Sequence, residues 1–344
     1  MKSRSRVRTA LQLLGFLVGL AMLGWCIRQA LGPENQAQLR RLGDAPASAI
    51  LLLLSLSLAT LVLNGLMFWV AVRPIRNLSP AGVCATNAVA TFASYLPFKL
   101  SVVVRVLIHT RRDGLPFFTV GAWMTAVAVV MLVSLLPLAL GAYVRGGLDG
   151  VAWGLTAATA LTAGAAVIVL ARLFSGERGL AKVRAAADAT RVGLLSRAAR
   201  SEKTAQLHGA LTILGHARAT IAGIALRLTD TGVQAWRFLV AADILGIPMS
   251  IGEAVILSIV YFLVSVFTPI GVLGSREAAT AAVAVALGLR GELRDTDLPL
   301  LVTATESLVN LMGAVVGLAI LRPRRGEGPA STDPDDGATA RSTP

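Results

Sequence analysis

The chain is 344 residues long, with 55% apolar and only 15% charged residues and a mean hydropathy of +0.70. Ordinary soluble domains carry about 25% charged residues, so these figures exclude a disordered chain, a coiled coil and a secreted disulfide scaffold, and argue strongly against a soluble enzyme. The net charge of +13 and pI near 11.2 would suggest nucleic acid in a soluble protein. Here the charges stand between long, nearly charge-free runs, as basic cytoplasmic loops facing anionic lipid do, and no nucleic-acid module is present.

In chain order, Lys2, Arg4, Arg6 and Arg8 precede an apolar run at 9–26. That run is long enough to span the hydrocarbon core and reads as a first membrane helix. A cleaved signal peptide is the alternative, although no A-x-A site follows. Further runs at 47–72, 115–144, 151–173, 219–245 and 298–321 are each long enough to cross as helices. The sequence therefore predicts an all-α polytopic membrane protein with about six spanning helices. Two other apolar regions, 80–109 and 252–289, are broken near their middles by Pro and small or polar residues.

Loop charge sets the orientation. The basic N-terminal tail, Arg73 and Arg76, Arg111 and Arg112, the stretch 172–203 with eight basic and three acidic residues, and Arg322, Arg324 and Arg325 all fall on the cytoplasmic side by the positive-inside rule. Both termini are then cytoplasmic, in a cell (inner) membrane. The residues flanking 80–109 share one side, so that region must enter and return as a re-entrant hairpin or tight helical pair. The same parity applies to 252–289 from the outer face.

The two broken regions share a layout. Ser79 precedes Pro97 by 18 residues and Ser250 precedes Pro269 by 19; Arg105 follows Pro97 by eight and Arg276 follows Pro269 by seven. Each region lies between two spanning runs, and the two enter from opposite faces. This is the pattern of an inverted repeat, which in transporters places the binding site between the repeats; chance similarity of two Pro-containing hairpins is the competing reading. Residues 1–321 form one integral membrane domain. Within it, 172–218 is a basic cytoplasmic linker, lying on the leaflet or simply solvated. Residues 322–344 read as a disordered tail.

Irregular backbone in a bilayer is tolerated only where protein walls a cavity, so the breaks mark candidate sites. At the first, Lys99, Ser101 and Arg105 can meet an anion. At the second, Gly271 and Gly274 allow sharp turns and close ligand approach, and Ser275 is placed as N-cap of a helix over 276–289. That helix N-terminus attracts an anion, and Arg276 adds a planar guanidinium suited to phosphate. The embedded charges Arg105, Arg227, Asp230, Arg237, Asp243, Glu253, Arg276, Glu277 and Glu306 are costly in lipid and face cavities or one another. Two readings follow. Arg105 and Arg276 bind a lipid phosphate while Glu277 and Glu306 orient them or meet a cationic group; or Arg276 pairs with Glu306, and Arg227 with Asp230, only to hold the bundle together. Trp123, Trp236 and Tyr261 read as packing or interface residues.

No G-x-S-x-G, H-E-x-x-H, Walker loop or strand-borne G-x-G-x-x-G occurs, so no enzyme activity is expected. Cys26 and Cys84 lie inside apolar segments, and His109, His208 and His216 are scattered, so neither a metal nor another cofactor is expected.

The segment Pro269-Ile270-Gly271-Val272-Leu273-Gly274-Ser275-Arg276-Glu277-Ala278 resembles the "P…GG-x-G-x-R-E-A" motif of the flippase-like lysylphosphatidylglycerol synthase transmembrane family. The earlier segment from Leu96-Pro97 to Arg105 is similar to that family's "L-P…G-x-x-x-R" stretch. The hydrophobic layout fits the family over about residues 8–322. The resemblance implies a bundle of roughly eight membrane segments. In the full synthases this bundle is joined to a cytoplasmic aminoacyl-transferase domain and is implicated in flipping aminoacylated phosphatidylglycerol. With no such domain here, it implies a stand-alone translocator. Phe98-Lys99-Leu100-Ser101-Val102 and Val272-Leu273 replace the family's usual glycines, so the substrate does not transfer.

The expected function is movement of an anionic phospholipid, an aminoacylated phospholipid or a polyisoprenoid-linked lipid, downhill or ion-coupled since no nucleotide site is present. The alternative is a non-transporting scaffold for a glycosyltransferase or lipid-modifying enzyme. The expected partners are membrane lipids with an anionic headgroup and, in the alternative, a membrane enzyme; nucleic acid is not among them.

Overall fold

The computed structural model describes residues 24, 28, 40, 43–96, 100–145, 150–190, 193–267, 274–289 and 296–322. Of the apolar run 9–26 all but residue 24, residues 97–99 and 268–273, and the tail beyond 322 lie outside the described residues. Everything regular among the described residues is helical, and no strand occurs there.

Helix α1 (Ala47–Val72) coincides with the second apolar run. The first broken region becomes α2 (Pro80–Ala93) and α3 (Leu100–Arg111), followed by α4 (Phe117–Arg145) and α5 (Gly150–Phe174). The basic stretch folds into α6 (Gly176–Ala189), α7 (Gly193–Ala199) and α8 (Glu202–Gly215). Then come α9 (Ala217–Leu245), the second broken region as α10 (Ile251–Phe267) and α11 (Ser275–Ala286), and α12 (Asp297–Leu321). Among the described residues, four helices are long and apolar enough to cross a membrane: α1, α4 within Phe117–Gly141, α5 within Trp153–Phe174, and α12. A fifth span arises if α8 and α9 count as one, bent by 75° at His216. His216 ends α8 and starts α9, its Nδ1 accepting from the Ala219 amide at 3.4 Å.

Helix boundaries follow local chemistry. Ser79 caps α2 by accepting from the Gly82 amide, with Pro80 at the first position, where no amide is needed. Ser250 and Glu253 form a reciprocal capping box before α10: Ser250 Oγ accepts from the Glu253 amide, and Glu253 accepts from the Ser250 amide at 2.7 Å. Glu253 thus has a capping role. At the end of α9, Gly246 takes φ +68° and Ile247 donates to Ala242 at 2.8 Å, a Schellman closure that glycine permits.

The outer surface is apolar. Leu161, Leu155 and Val151 of α5 and Val315 of α12 are all more than half exposed. A face this greasy is compatible with lipid and not with water. Lipid provides no hydrophobic drive for helix association, so small residues and polar pairs must supply it. They do so in the central layer. A Cβ on Gly65 of α1 would stand 3.0 Å from Cys84 Cα of α2, and one on Gly317 of α12 would stand 2.8 Å from the Ala85 carbonyl oxygen of α2. Helices α1 and α9 also pack closely, as do α2 and α12.

The 172–218 stretch is only partly peripheral. Helix α8 packs on α4 and α5 and contributes Ala210, Ile213 and Leu214 to a buried cluster with Met67, Phe68, Val120 and Trp123. A second cluster gathers Leu53, Leu135, Phe238, Leu257, Tyr261 and Val302. Helix α1 runs through both, with Leu53 in one and Met67 in the other. Between these two residues lie Ser57, Thr60 and Asn64, which face a cavity separating the two dry cores.

Candidate functional site

The cavity has a volume of about 200 Å³, well beyond the single-water voids ordinary interiors leave. Its walls come from α1, α2, α3, α4, α9, α10, α11 and α12. Each hairpin contributes an arginine from its second, shorter helix: Arg105 from α3 and Arg276 from α11. Arg237 of α9 is the third cation, and Glu306 of α12 is the one carboxylate among the described lining residues. The described wall therefore carries two positive charges in net excess over its one carboxylate.

Arg105 is buried, lies 3.7 Å from the centre of the Phe68 ring and donates through Nη2 to Asn87 Oδ1 at 2.9 Å. Asn87 Nδ2 in turn donates to the Leu61 carbonyl at 3.2 Å, tying the α2–α3 hairpin to α1. Arg105 Nη1 is buried with no partner among the described residues. Arg276 lies 4.2 Å from the Tyr261 ring centre and donates through Nη1 to Glu306 Oε1 at 3.1 Å and to Ser265 at 3.4 Å; its Nε and Nη2 have no such partner. Arg237 Nη2 donates to Glu306 Oε2 at 3.0 Å and to the Val302 carbonyl at 3.2 Å.

Glu306 is thus the hub. Besides the two arginines it accepts from the hydroxyls of Tyr95 and Tyr261, each at 3.3 Å. Asn310 donates to Tyr95 at 2.9 Å, and so the residues just after the first hairpin's entry helix are stitched to α12. A second polar knot lies beside the cavity. Asp230 Oδ2 accepts from Arg227 at 2.7 Å, Gln234 at 2.9 Å and Asn64 at 3.2 Å, while Arg227 lies 3.8 Å from the Phe262 ring centre.

The two ion pairs offered as the purely structural reading, Arg276–Glu306 and Arg227–Asp230, are therefore both formed. Only Arg276–Glu306 opens on the cavity. Ser101 lines it beside Arg105. Glu277 is fully buried but turned away, accepting the Thr303 hydroxyl's hydrogen bond, and it is not part of the cavity wall. Lys99 and Gly271 lie outside the described residues. Ser275 is the first residue of α11 and not its cap. The cap position is Gly274, whose φ of +77° turns the chain into the helix without a side-chain cap bond. The helix ends at Ala286, earlier than expected, because Gly288 at φ +66° closes it with Leu289 donating to Ala284.

Arg237, in the sequence only one of the embedded charges, and Tyr261, expected as a packing or interface residue, both line the cavity. A signal for Arg237 was present. Arg227, Asp230, Gln234 and Arg237 recur at spacings of three, four and three, which is one face of a helix, and all four are buried. Trp123 is the packing residue it was read to be, with its indole donating to the Phe68 carbonyl at 3.0 Å. Trp236 is half exposed on the outer surface. No group of three or more His, Cys, Asp or Glu side chains is placed to hold a metal among the described residues.

Neither the curated proteins nor the solved structures contain a match to this chain. The family model for the lysylphosphatidylglycerol synthase TM region matches residues 12–293 and takes in both hairpins and both arginines. The chain belongs to that family, and it is a multi-pass membrane protein with a lipid-related function.

Proposed function

We infer that the protein moves a lipid with an anionic headgroup across the membrane, the headgroup passing through the cavity while the acyl chains stay in the bilayer. The observation that carries this reading is the convergence of Arg105, Arg237 and Arg276 on one cavity whose described wall holds a single carboxylate. Buried charge is costly in lipid, and unpaired guanidinium N–H groups facing a cavity are suited to a ligand that returns charge-assisted hydrogen bonds. A phosphate does so in the bidentate geometry arginine favours. An aminoacylated headgroup with added ammonium charge would increase the positive excess. The charge balance therefore favours an anionic phospholipid or a polyisoprenoid phosphate over a lysylated lipid.

The packing supports a repeat. Exchanging α1–α4 with α9–α12 maps the close contacts α1–α2, α2–α3, α3–α4 and α1–α12 onto α9–α10, α10–α11, α11–α12 and α9–α4, all of which occur. Two such units related by inversion would give the cavity equivalent routes to both leaflets, which is the logic of alternating access. The basic loops orient both termini to the cytoplasm of a cell membrane. In this reading the protein binds and releases lipid without chemically altering it.

The test is reconstitution of the full chain into vesicles with fluorescent phosphatidylglycerol, polyisoprenoid phosphate, lysylated phosphatidylglycerol or phosphatidylcholine, scored for transbilayer movement. The two anionic probes should move fastest. Arg276→Ala should slow them by about tenfold or more, the scale of a lost charge-assisted hydrogen bond. Unchanged movement in that variant would remove the cavity as the route, and no movement of any lipid would reject translocation.

A further inference from the structure

A second pocket lies apart from the cavity, at the end of the bundle where α2 begins and α3 and α12 finish. There an open pocket of about 870 Å³ is bordered by Arg111, Arg112 and Arg322. Its one acidic residue, Asp113, is already engaged, with its carboxylate 2.6 Å from His109 Nδ1. The pocket has a built wall. The Arg112 guanidinium lies over Gly82, where a Cβ would stand 3.0 Å from Arg112 Nη1; a glycine at 82 lets that charge sit against the start of α2.

The pocket adjoins an apolar groove of about 460 Å³ lined by α1, α2 and α12, and Ala81 and Ile320 border both. Helix α2 forms the groove's floor with the small residues Ala81, Ala85 and Ala88. Leu58 on α1 and Val316 on α12 rise as walls, and both are more than half exposed. A cationic mouth opening onto a dry trough is the shape of a phospholipid lying along a protein, with its phosphate at the membrane surface and one chain in the groove. The three arginines fit an anionic headgroup and give a zwitterionic one little advantage.

We propose that this pocket and groove hold one anionic phospholipid as a resident or waiting ligand on the cytoplasmic side, whether or not the central cavity transports lipid. The positive-inside assignment of Arg111, Arg112 and Arg322 places the pocket at that surface, where anionic headgroups are available.

The test uses the full chain in nanodiscs containing phosphatidylglycerol with a diazirine in one acyl chain, and in parallel phosphatidylcholine with the same probe. After irradiation, the labelled peptides are identified by mass spectrometry. Phosphatidylglycerol should label the groove faces of α1, α2 and α12 at least about fivefold more than phosphatidylcholine, the effect of one arginine near an anionic surface. The triple variant Arg111→Ala, Arg112→Ala, Arg322→Ala should bring the two probes level there, while labelling of the exposed face of α5 stays the same. Val316→Trp, which keeps the arginines but fills the trough, should also suppress groove labelling and decides the matter if the triple variant aggregates. Equal labelling by the two lipids in the unmodified chain would reduce the groove to ordinary boundary lipid and overturn the proposal. A groove left unlabelled by both lipids while the exposed face of α5 is labelled would mean that residues 9–26 or a second copy covers it, and would overturn the proposal as well.

Discussion

Arg276 of α11 donates to Glu306 of α12 at 3.1 Å through the carboxylate oxygen that Arg237 leaves free. Arg237 holds the other oxygen at 3.0 Å from a third helix, α9. One acidic side chain therefore binds three helices together at the cavity wall, and its two arginine partners are not equivalent in what they lose when it is changed.

Removing the hub should cost more than removing a spoke. In Glu306→Ala both Arg237 and Arg276 become buried cations without their carboxylate, and breaking a buried pair from one side costs about 3–5 kcal/mol. In Arg276→Ala the carboxylate keeps Arg237 and the hydroxyls of Tyr95 and Tyr261. Thermal unfolding in detergent should rank Glu306→Ala well below Arg276→Ala, with Glu306→Gln between them. If Arg276→Ala unfolds as readily as Glu306→Ala, the hub assignment fails.

Arg105 makes a different kind of contact, donating to a neutral amide and lying 3.7 Å from the centre of the Phe68 ring. Lysine keeps the charge but has neither the planar fork nor the stacking face. Arg105→Lys should therefore retain the fold and lose part of the transport rate, whereas Arg105→Ala should lose most of it. The readout is fluorescent phosphatidylglycerol movement in vesicles, with folding checked by gel filtration. Equal rates in the unmodified chain and Arg105→Ala would show that Arg105 does not contact the moving headgroup.

Much of the scaffold was visible in the residues. Helix α1 spans the same residues as its apolar run, and both hairpins break where Pro and small residues interrupt the hydrophobic pattern. That pattern is set by local composition, which a linear reading captures. The partners of Glu306 were less legible, because its choice between Arg237 and Arg276 depends on how α9, α11 and α12 cross, and no periodicity records a crossing. Glu277 shows the same limit. It is adjacent to Arg276 in sequence, but successive helical residues point about 100° apart, and so it turns to Thr303 while Arg276 faces the cavity. The packing role of α8 was hidden for another reason: its chain neighbours are strongly basic, and charge dominated the reading of the whole stretch.

The glycines of α12 allow a graded prediction. The one close clash of a Cβ on Gly313 would be with the far end of a side chain, Leu61 Cδ2 at 2.6 Å, whereas one on Gly317 would meet the Ala85 carbonyl oxygen at 2.8 Å. A leucine tip can rotate away, but a helix backbone must be pushed as a unit. Overpacking costs about 1–3 kcal/mol where the surroundings cannot yield. Gly317→Ala should fall in that range and Gly313→Ala near or below its lower end, measured as the difference in thermal midpoint in one detergent. Equal losses would mean that α2 and α12 separate more easily than their spacing implies.

The ion pair that ties α6 to the end of α7 supplies a pH dependence outside the candidate spans. Arg200 donates to Asp188 at 2.9 Å, and this hydrogen bond, followed by one from Ser196, holds the Asp188 carboxyl below its usual value. A carboxyl depressed in the folded state adds stability above its unfolded value, about 4 for aspartate, and that contribution disappears as pH falls through the lower folded value. The pair is exposed, so its effect should be local order and not global stability. Hydrogen exchange in the peptides of α6 and α7, corrected for intrinsic rates, should show more protection in the unmodified chain than in Arg200→Ala at neutral pH. The difference should shrink once pH falls below about 4. A difference that persists unchanged into stronger acid would mean that Arg200 orders α6 and α7 by packing and not by its charge.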